Sequence, residues 1–226
     1  MKIWPSRKIS AFITRRLMKE IDQPEFPACD FDRIRIEVRP CDVLLMEGHS
    51  RIAEIIKTVT KSNWSHAALY IGRLIDINKP ELKNKIRKHY KGDERIPLII
   101  EGLLGKGIIV TPLKCYKREH IRICRPDGIS LKDTESVIAY TVSELGKPYD
   151  VRHIFDLLRF LFPFLLLPRH LFSSIFRPRA RENKKQICSS LLAEAFASVH
   201  FPILPKIIQN KNGKIEFVQR NPKLFK

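Results

Sequence analysis

Acidic residues are scarce in this chain: 24 Asp and Glu stand against 42 Lys and Arg, leaving a formal charge of +18 over 226 residues. So one-sided a balance calls for an anionic partner. Long apolar runs are missing too. The most apolar stretch, residues 154–176 (IFDLLRFLFPFLLLPRHLFSSIF), is interrupted by Pro163 and Pro168 and carries Asp156, Arg159 and Arg169, so it is too short and broken to span a bilayer. The N-terminus has no apolar stretch resembling a signal peptide, and the five cysteines, at 29, 41, 115, 124 and 188, are an odd set without the paired spacing of a zinc site. A reducing cytoplasm is the expected setting, and no metal or organic cofactor is implied. The histidines at 49, 89, 120, 153, 170 and 200 show no ligand-like spacing and read as surface or packing residues. Zinc spacing, an RRM-type aromatic motif and a helix-turn-helix signal are all lacking, so a nucleic-acid-binding function has charge behind it but no motif.

What is present suits one globular domain. The apolar fraction of 44% in a chain of this length can fill a single core, and no repeat divides it. Residues 1–19 interleave Ile3, Trp4, Ile9, Phe12, Ile13 and Leu17 with Lys and Arg, the pattern of a basic amphipathic helix. A strand is predicted over 42–46, then a helix capped by Ser50 with Ile52, Ile55, Ile56 and Val59 as its apolar stripe. A strand over 67–71 follows. The lysine-rich stretch 78–95 reads as a surface insertion with some helix over 81–90. Further strands are predicted over 98–101, 108–111 and 120–125, with Pro112 ending one of them, and a helix over 131–145 lies between its Ser130 cap and Gly146. Such strands imply an antiparallel sheet.

Two single residues carry chemical interest. Cys188 opens an apolar helical pattern, ICSSLLAEAF, in which Leu191, Leu192, Ala195, Phe196 and Val199 share a face. A helix N-terminus favours the thiolate, the form that attacks carbonyls. His66 opens the strand pattern HAALYIG, where period two places His66, Ala68 and Tyr70 on one face. A base held there is rigidly aimed. Glu101 ends the run IPLIIE, where a carboxylate needs a partner and could orient an imidazole. Each of the three, alone, also fits an ordinary packed or surface residue.

The stretches DVLLMEG, SNWSHAALYIG, IIEGLLGKGIIVTPL, LGKPYD and ICSSLLAEAFASVHFPILP, in this order, resemble the permuted papain-like hydrolases. More narrowly, residues 34–205 resemble the bacterial YiiX/YebB-type family, relatives of NlpC-type cell-wall amidases and of lecithin retinol acyltransferase. The resemblance implies an α+β, circularly permuted papain-like fold: a small antiparallel sheet packed against the nucleophile helix, with a basic and apolar helical insert. It implies His66 as base, Glu101 as the residue that orients it and Cys188 as nucleophile. The segment Gly146-Lys147-Pro148-Tyr149 matches a GxPY element of the amidase relatives, so Tyr149 would help bind an oxyanion together with backbone amides near Cys188 and Ser189. The sequence departs from the pattern at Pro40-Cys41-Asp42, where a Gly-Asp pair is usual, and in the long interval between Tyr149 and Cys188.

These features set the expectations. Residues 1–33 form a basic N-terminal segment, and 34–226 form the hydrolase domain with inserts at about 73–96 and 151–186. The chemistry is a cysteine hydrolase or acyltransferase acting on an amide or ester carbonyl through a thioester. Lipid or lipid-linked substrates are slightly favoured over a peptidoglycan-type or γ-glutamyl amide. The insert either dips Phe160, Leu161, Phe162, Phe164 and Leu165 into lipid, with Arg159, Arg169, Arg177, Arg179 and Arg181 at anionic headgroups, or forms a buried hairpin. The first makes the protein peripheral on the inner face of the membrane. The contrasting expectation is a catalytically silent module that binds lipid or nucleic acid.

Overall fold

A computed structural model of the chain describes residues 19, 29–148, 188–201, 205–209 and 215–219. The expectations for residues 1–18, the insert at 151–186 and Tyr149 lie outside the described residues.

The chain enters through helix α1 (Phe31–Glu37), which Asp30 caps by accepting the Arg33 N–H at 3.1 Å. Strand β1 (Val43–Glu47) follows, then helix α2 (Arg51–Thr60), whose Ser50 cap accepts from Ala53 N at 3.2 Å. Such a cap is worth about 1 kcal/mol. Lys61 ends α2 in the left-handed region, and a short loop delivers strand β2 (His66–Arg73). Helix α3 (Pro80–His89), strands β3 (Pro97–Leu103) and β4 (Gly107–Pro112), a 3₁₀ turn (Leu113–Tyr116) and strand β5 (His120–Cys124) come next. Helix α4 (Leu131–Ser143) is capped by Ser130, and after the insert helix α5 (Cys188–Ala197) precedes a hairpin of β6 (Pro205–Gln209) and β7 (Ile215–Gln219).

Strands β1 to β5 make one antiparallel sheet in the order β4-β3-β2-β1-β5. Its alternating side chains feed two cores. Leu69, Ile71, Leu98, Ile100, Ile108 and Val110 face the helical layer, where they meet Ile86 of α3, Val137, Ile138 and Val142 of α4, and Leu191, Leu192, Ala195 and Phe196 of α5. Leu44, Met46, Ala68, Tyr70, Ile99 and Ile121 face the other way, against Ile34 of α1, Val38 and Leu113. Full burial of each large aliphatic side chain contributes about 1.5–3 kcal/mol.

This is the expected α+β architecture of an antiparallel sheet and a helical layer, with α5 packed over β2 and β3. Two details depart from the sequence reading. The lysine-rich stretch read as a surface insertion sends Ile86 into the helical core, because α3 keeps one apolar face among its charges. Helix α1 spans residue 33, and its Ile34 is buried in the second core. Cys41, at the Pro-Cys-Asp departure, takes φ 76°, the left-handed region that favours glycine. Its neighbour Asp42 is buried and accepts two hydrogen bonds from Arg125, 3.0 Å from Nε and 2.8 Å from Nη2, with a third from Arg39 N at 2.8 Å.

Candidate active site

One end of the sheet gathers the polar side chains. β2 starts there with His66, because Ser65 docks on the end of β1: its N–H donates to the Met46 carbonyl at 3.1 Å, and its Oγ accepts from Gly48 N at 2.9 Å. Across β3, Ala68 stands opposite Glu101, so His66 and Glu101 share the face that also carries Tyr70 and Ile99. A register shift between Tyr70 and Gly72, with Gly72 at φ 85°, lies further along and leaves this end regular.

His66 Nε2 lies 2.6 Å from Glu101 Oε2. The Glu101 side chain is wholly buried and that of His66 is 15% exposed. A second donor reaches the same oxygen: the Tyr116 hydroxyl, at 2.5 Å. The Tyr116 ring also stacks on the imidazole, with centroids 6.2 Å apart and planes at 23°. Glu101 Oε1 is buried and has no hydrogen-bond partner among the described residues.

Burial by itself would push the Glu101 carboxyl up. The bond from His66 and its charge, then Thr111 and Tyr116, outweigh burial and hold the carboxyl below its ordinary value. The Thr111 hydroxyl adds to this hold although it stops short of a full hydrogen bond. Burial first, then the Glu101 charge, pushes the Tyr116 phenol far up, so it remains a donor.

The other predicted residues are placed as follows. Cys188 is the first residue of α5, and its side chain lies outside the described residues. Ser189 is exposed on the first turn. Tyr149 lies outside the described residues, but the chain leading to it is pinned to β4: Gly146 N donates to the Ile108 carbonyl at 2.9 Å, and Ile108 N to the Lys147 carbonyl at 3.0 Å. Gly107 permits this approach, since a Cβ there would collide with the Lys147 carbonyl oxygen. Gly107 pairs with Leu103 and Ile108 with Gly102, next to Glu101, so this lead-in reaches the Glu101 end of the sheet. The helix α5 is itself tied to α4 by the Tyr140 hydroxyl, which donates to Glu194 Oε2 at 2.9 Å.

Helix α5 and the His66–Glu101 side chains belong to different layers. Leu191 and Ala195 pack with Leu69 and Ile100, while His66 and Glu101 alternate in phase with Ala68 and Ile99. Cys188 opens its helix and His66 opens its strand, so each is the terminal residue of its element.

Residues 37–159 match the model of the permuted papain-like amidases, the YaeF/YiiX, C92 family, over more than half of the chain. The chain belongs to this amidase family. The matched span contains His66, Glu101 and Tyr149, and ends before Cys188. Membership makes the protein a cysteine-type hydrolase. Among solved structures it is similar to the metalloprotein yiiX from Escherichia coli O157:H7, with 18% identity, 81% of this chain and 76% of that chain covered, and a TM-score of 0.45. No curated protein matches it.

Sequence reasoning missed Tyr116, which sits in LKCYKREH with nothing local to mark it. It also missed the polar rim near His66. Glu47 accepts from Lys57 at 3.4 Å and lies 3.3 Å from His120 Nδ1, and the Trp64 ring lies 5.0 Å from that of His120. A groove of about 510 Å³ runs from Trp64 along β5 to Ile34. Among the described residues no group of three or more His, Cys, Asp or Glu is placed to hold a metal ion. No helix among them is long and apolar enough to cross a membrane.

Proposed function

We propose that this amidase works by nucleophilic catalysis with Cys188 as nucleophile, His66 as base and Glu101 as the group that orients the base. The observation that carries the reading is the 2.6 Å bond from His66 Nε2 to a buried carboxylate. A carboxylate that takes the Nε2–H fixes the tautomer and leaves Nδ1 with a lone pair to act as base. Nδ1 accepts the proton of the Cys188 thiol. The thiolate attacks the amide carbonyl carbon, and the charge that develops on oxygen meets the N–H groups of the first turn of α5, around Ser189, and the Tyr149 hydroxyl. The C–N bond then breaks, and the imidazolium gives its proton to the leaving amine. A thioester remains. Water that loses a proton to His66 hydrolyses it, releasing the carboxylic acid and restoring the thiol.

For this geometry the reaction runs at the sheet end where β2 opens, since that is where an element from the helical layer can meet a side chain of the other layer. An amide is the favoured bond, in keeping with the family. A second reading, acyl transfer from a lipid ester at an anionic membrane, draws on the net charge of +18 and the apolar, basic stretch 154–176.

Iodoacetamide tests the nucleophile. Cys188 is expected to alkylate at least 10-fold faster than the exposed Cys115, and much faster than Cys41, whose thiol burial and the Asp42 charge push up to about 12. Equal rates for Cys188 and Cys115 would overturn it. Intact mass after incubation with peptide amides beside phospholipid esters separates the substrates: an adduct lost in Cys188→Ala identifies the bond by the acyl group retained. Failure to bind anionic liposomes would remove the lipid reading.

A further inference from the structure

We infer that Tyr116 is a positioning residue of the His66–Glu101 pair: it pins the carboxylate by a hydrogen bond and covers the imidazole with its ring, so that one orientation of His66 persists. The inference deepens the reading of His66 as base and rests on it for its catalytic meaning.

Two independent contacts point to this role. The Tyr116 hydroxyl donates to Glu101 Oε2, the oxygen that also faces His66 Nε2. The same tyrosine lays its ring over the imidazole at 23°. A tyrosine kept only for packing would need one contact or the other with this pair, not both. Its placement is rigid: Leu113, fully buried, anchors the start of the 3₁₀ turn, and the Glu119 N–H donates to the Tyr116 carbonyl at 3.0 Å at its far end.

The need for a second donor follows from the carboxylate's surroundings. Glu101 is buried, and Oε1 has no hydrogen-bond partner among the described residues. With His66 as its one hydrogen-bonded neighbour the carboxylate could rotate and offer either oxygen, and the ring would follow. A donor from the turn, on an element separate from β2 and β3, holds Oε2 in place between the two. Around His66 stand Met46, its register partner on β1, Glu101, which reaches it diagonally from its place opposite Ala68, and Tyr116, stacked on the ring.

The test is an imidazole-selective NMR titration of His66 in the full chain. In Tyr116→Phe the carboxylate loses one of its donors, so it leans harder on the imidazolium, and the His66 midpoint moves up. In a Glu101→Gln background the same substitution moves nothing, because the path through the carboxylate is gone. Site-specific 3-fluorotyrosine at 116, a stronger donor of the same shape, moves the midpoint down and guards against a misfolded variant. A midpoint that stays put or moves down in Tyr116→Phe, or an equal shift with and without the Glu101 carboxylate, would overturn the role. Iodoacetamide labelling keeps the two readings apart: equal rates at Cys188 and Cys115 would end the catalytic reading, while the titration alone decides whether Tyr116 holds the pair.

Discussion

On the helical side of the sheet, Leu69, Ile71, Leu98 and Ile100 join an apolar cluster with α3, α4 and α5, whereas on the opposite side the same two strands bury Glu101 between Ala68 and Ile99. One face is held by shape and apolar area. The other accepts a buried charge and holds it with His66, Tyr116 and Thr111. A stability argument alone would fill the Glu101 site with an aliphatic residue, since removing such a pair in favour of well-packed hydrocarbon is often neutral or better. The difference between the faces is a buried charge that packing alone does not call for.

Substitutions on the two faces should separate these contributions. Ile100→Ala on the helical face should have the largest effect on folding, about 4 kcal/mol in chemical denaturation, with the His66 titration unchanged. A titration that moved with it would mean the two layers are coupled. His66→Ala should cost less, about 3 kcal/mol, because it leaves the Glu101 charge buried without its main partner. Much of that loss should return in His66→Ala with Glu101→Gln, where no charge remains, and an additive double variant would contradict the charge account.

Acid should act through the polar face. The Glu101 carboxyl is held below its ordinary value, so the folded state binds this proton less readily than the unfolded chain, for which the value is about 4.3. The stability it contributes is complete above about pH 5 and is lost as pH falls through the unfolded and then the folded value. Denaturation midpoints should therefore fall more steeply below pH 4 in the natural protein than in Glu101→Gln, and parallel curves would show that the carboxylate is not the sensor. The smallest effect is expected at Cys41→Gly. Release of the left-handed strain at φ 76° offsets the lost thiol burial, leaving a change within about 1 kcal/mol.

Much of this was legible because its causes are local. Ser50 and Ser130 sit where helix caps belong, and both accept the N–H three residues on. The alternation in HAALYIG put His66, Ala68 and Tyr70 on one face, as found. Helix α1, only seven residues long, escaped because Ile34, Ile36 and Val38 alternate as a strand would, and the core beneath it decides its place. The burial of Ile86 escaped for a similar reason, since one isoleucine among lysines and arginines gives no sign of what it will face. Tyr116 was invisible: 15 residues from Glu101 and 50 from His66 in the chain, it meets both only through the turn after β4.

The sequence by itself determined most of the elements and the residue types at their ends, for caps, periodicity and the few chemically capable side chains act over one or two turns of chain. It also determined the family, through motifs that keep their order. Only the tertiary structure decided that Ala68 stands opposite Glu101, that one carboxylate oxygen serves both His66 and Tyr116, and that the dyad and α5 occupy different layers. Register, burial and the sharing of an oxygen depend on contacts between residues far apart in the chain, and these exist only once the sheet has closed around them.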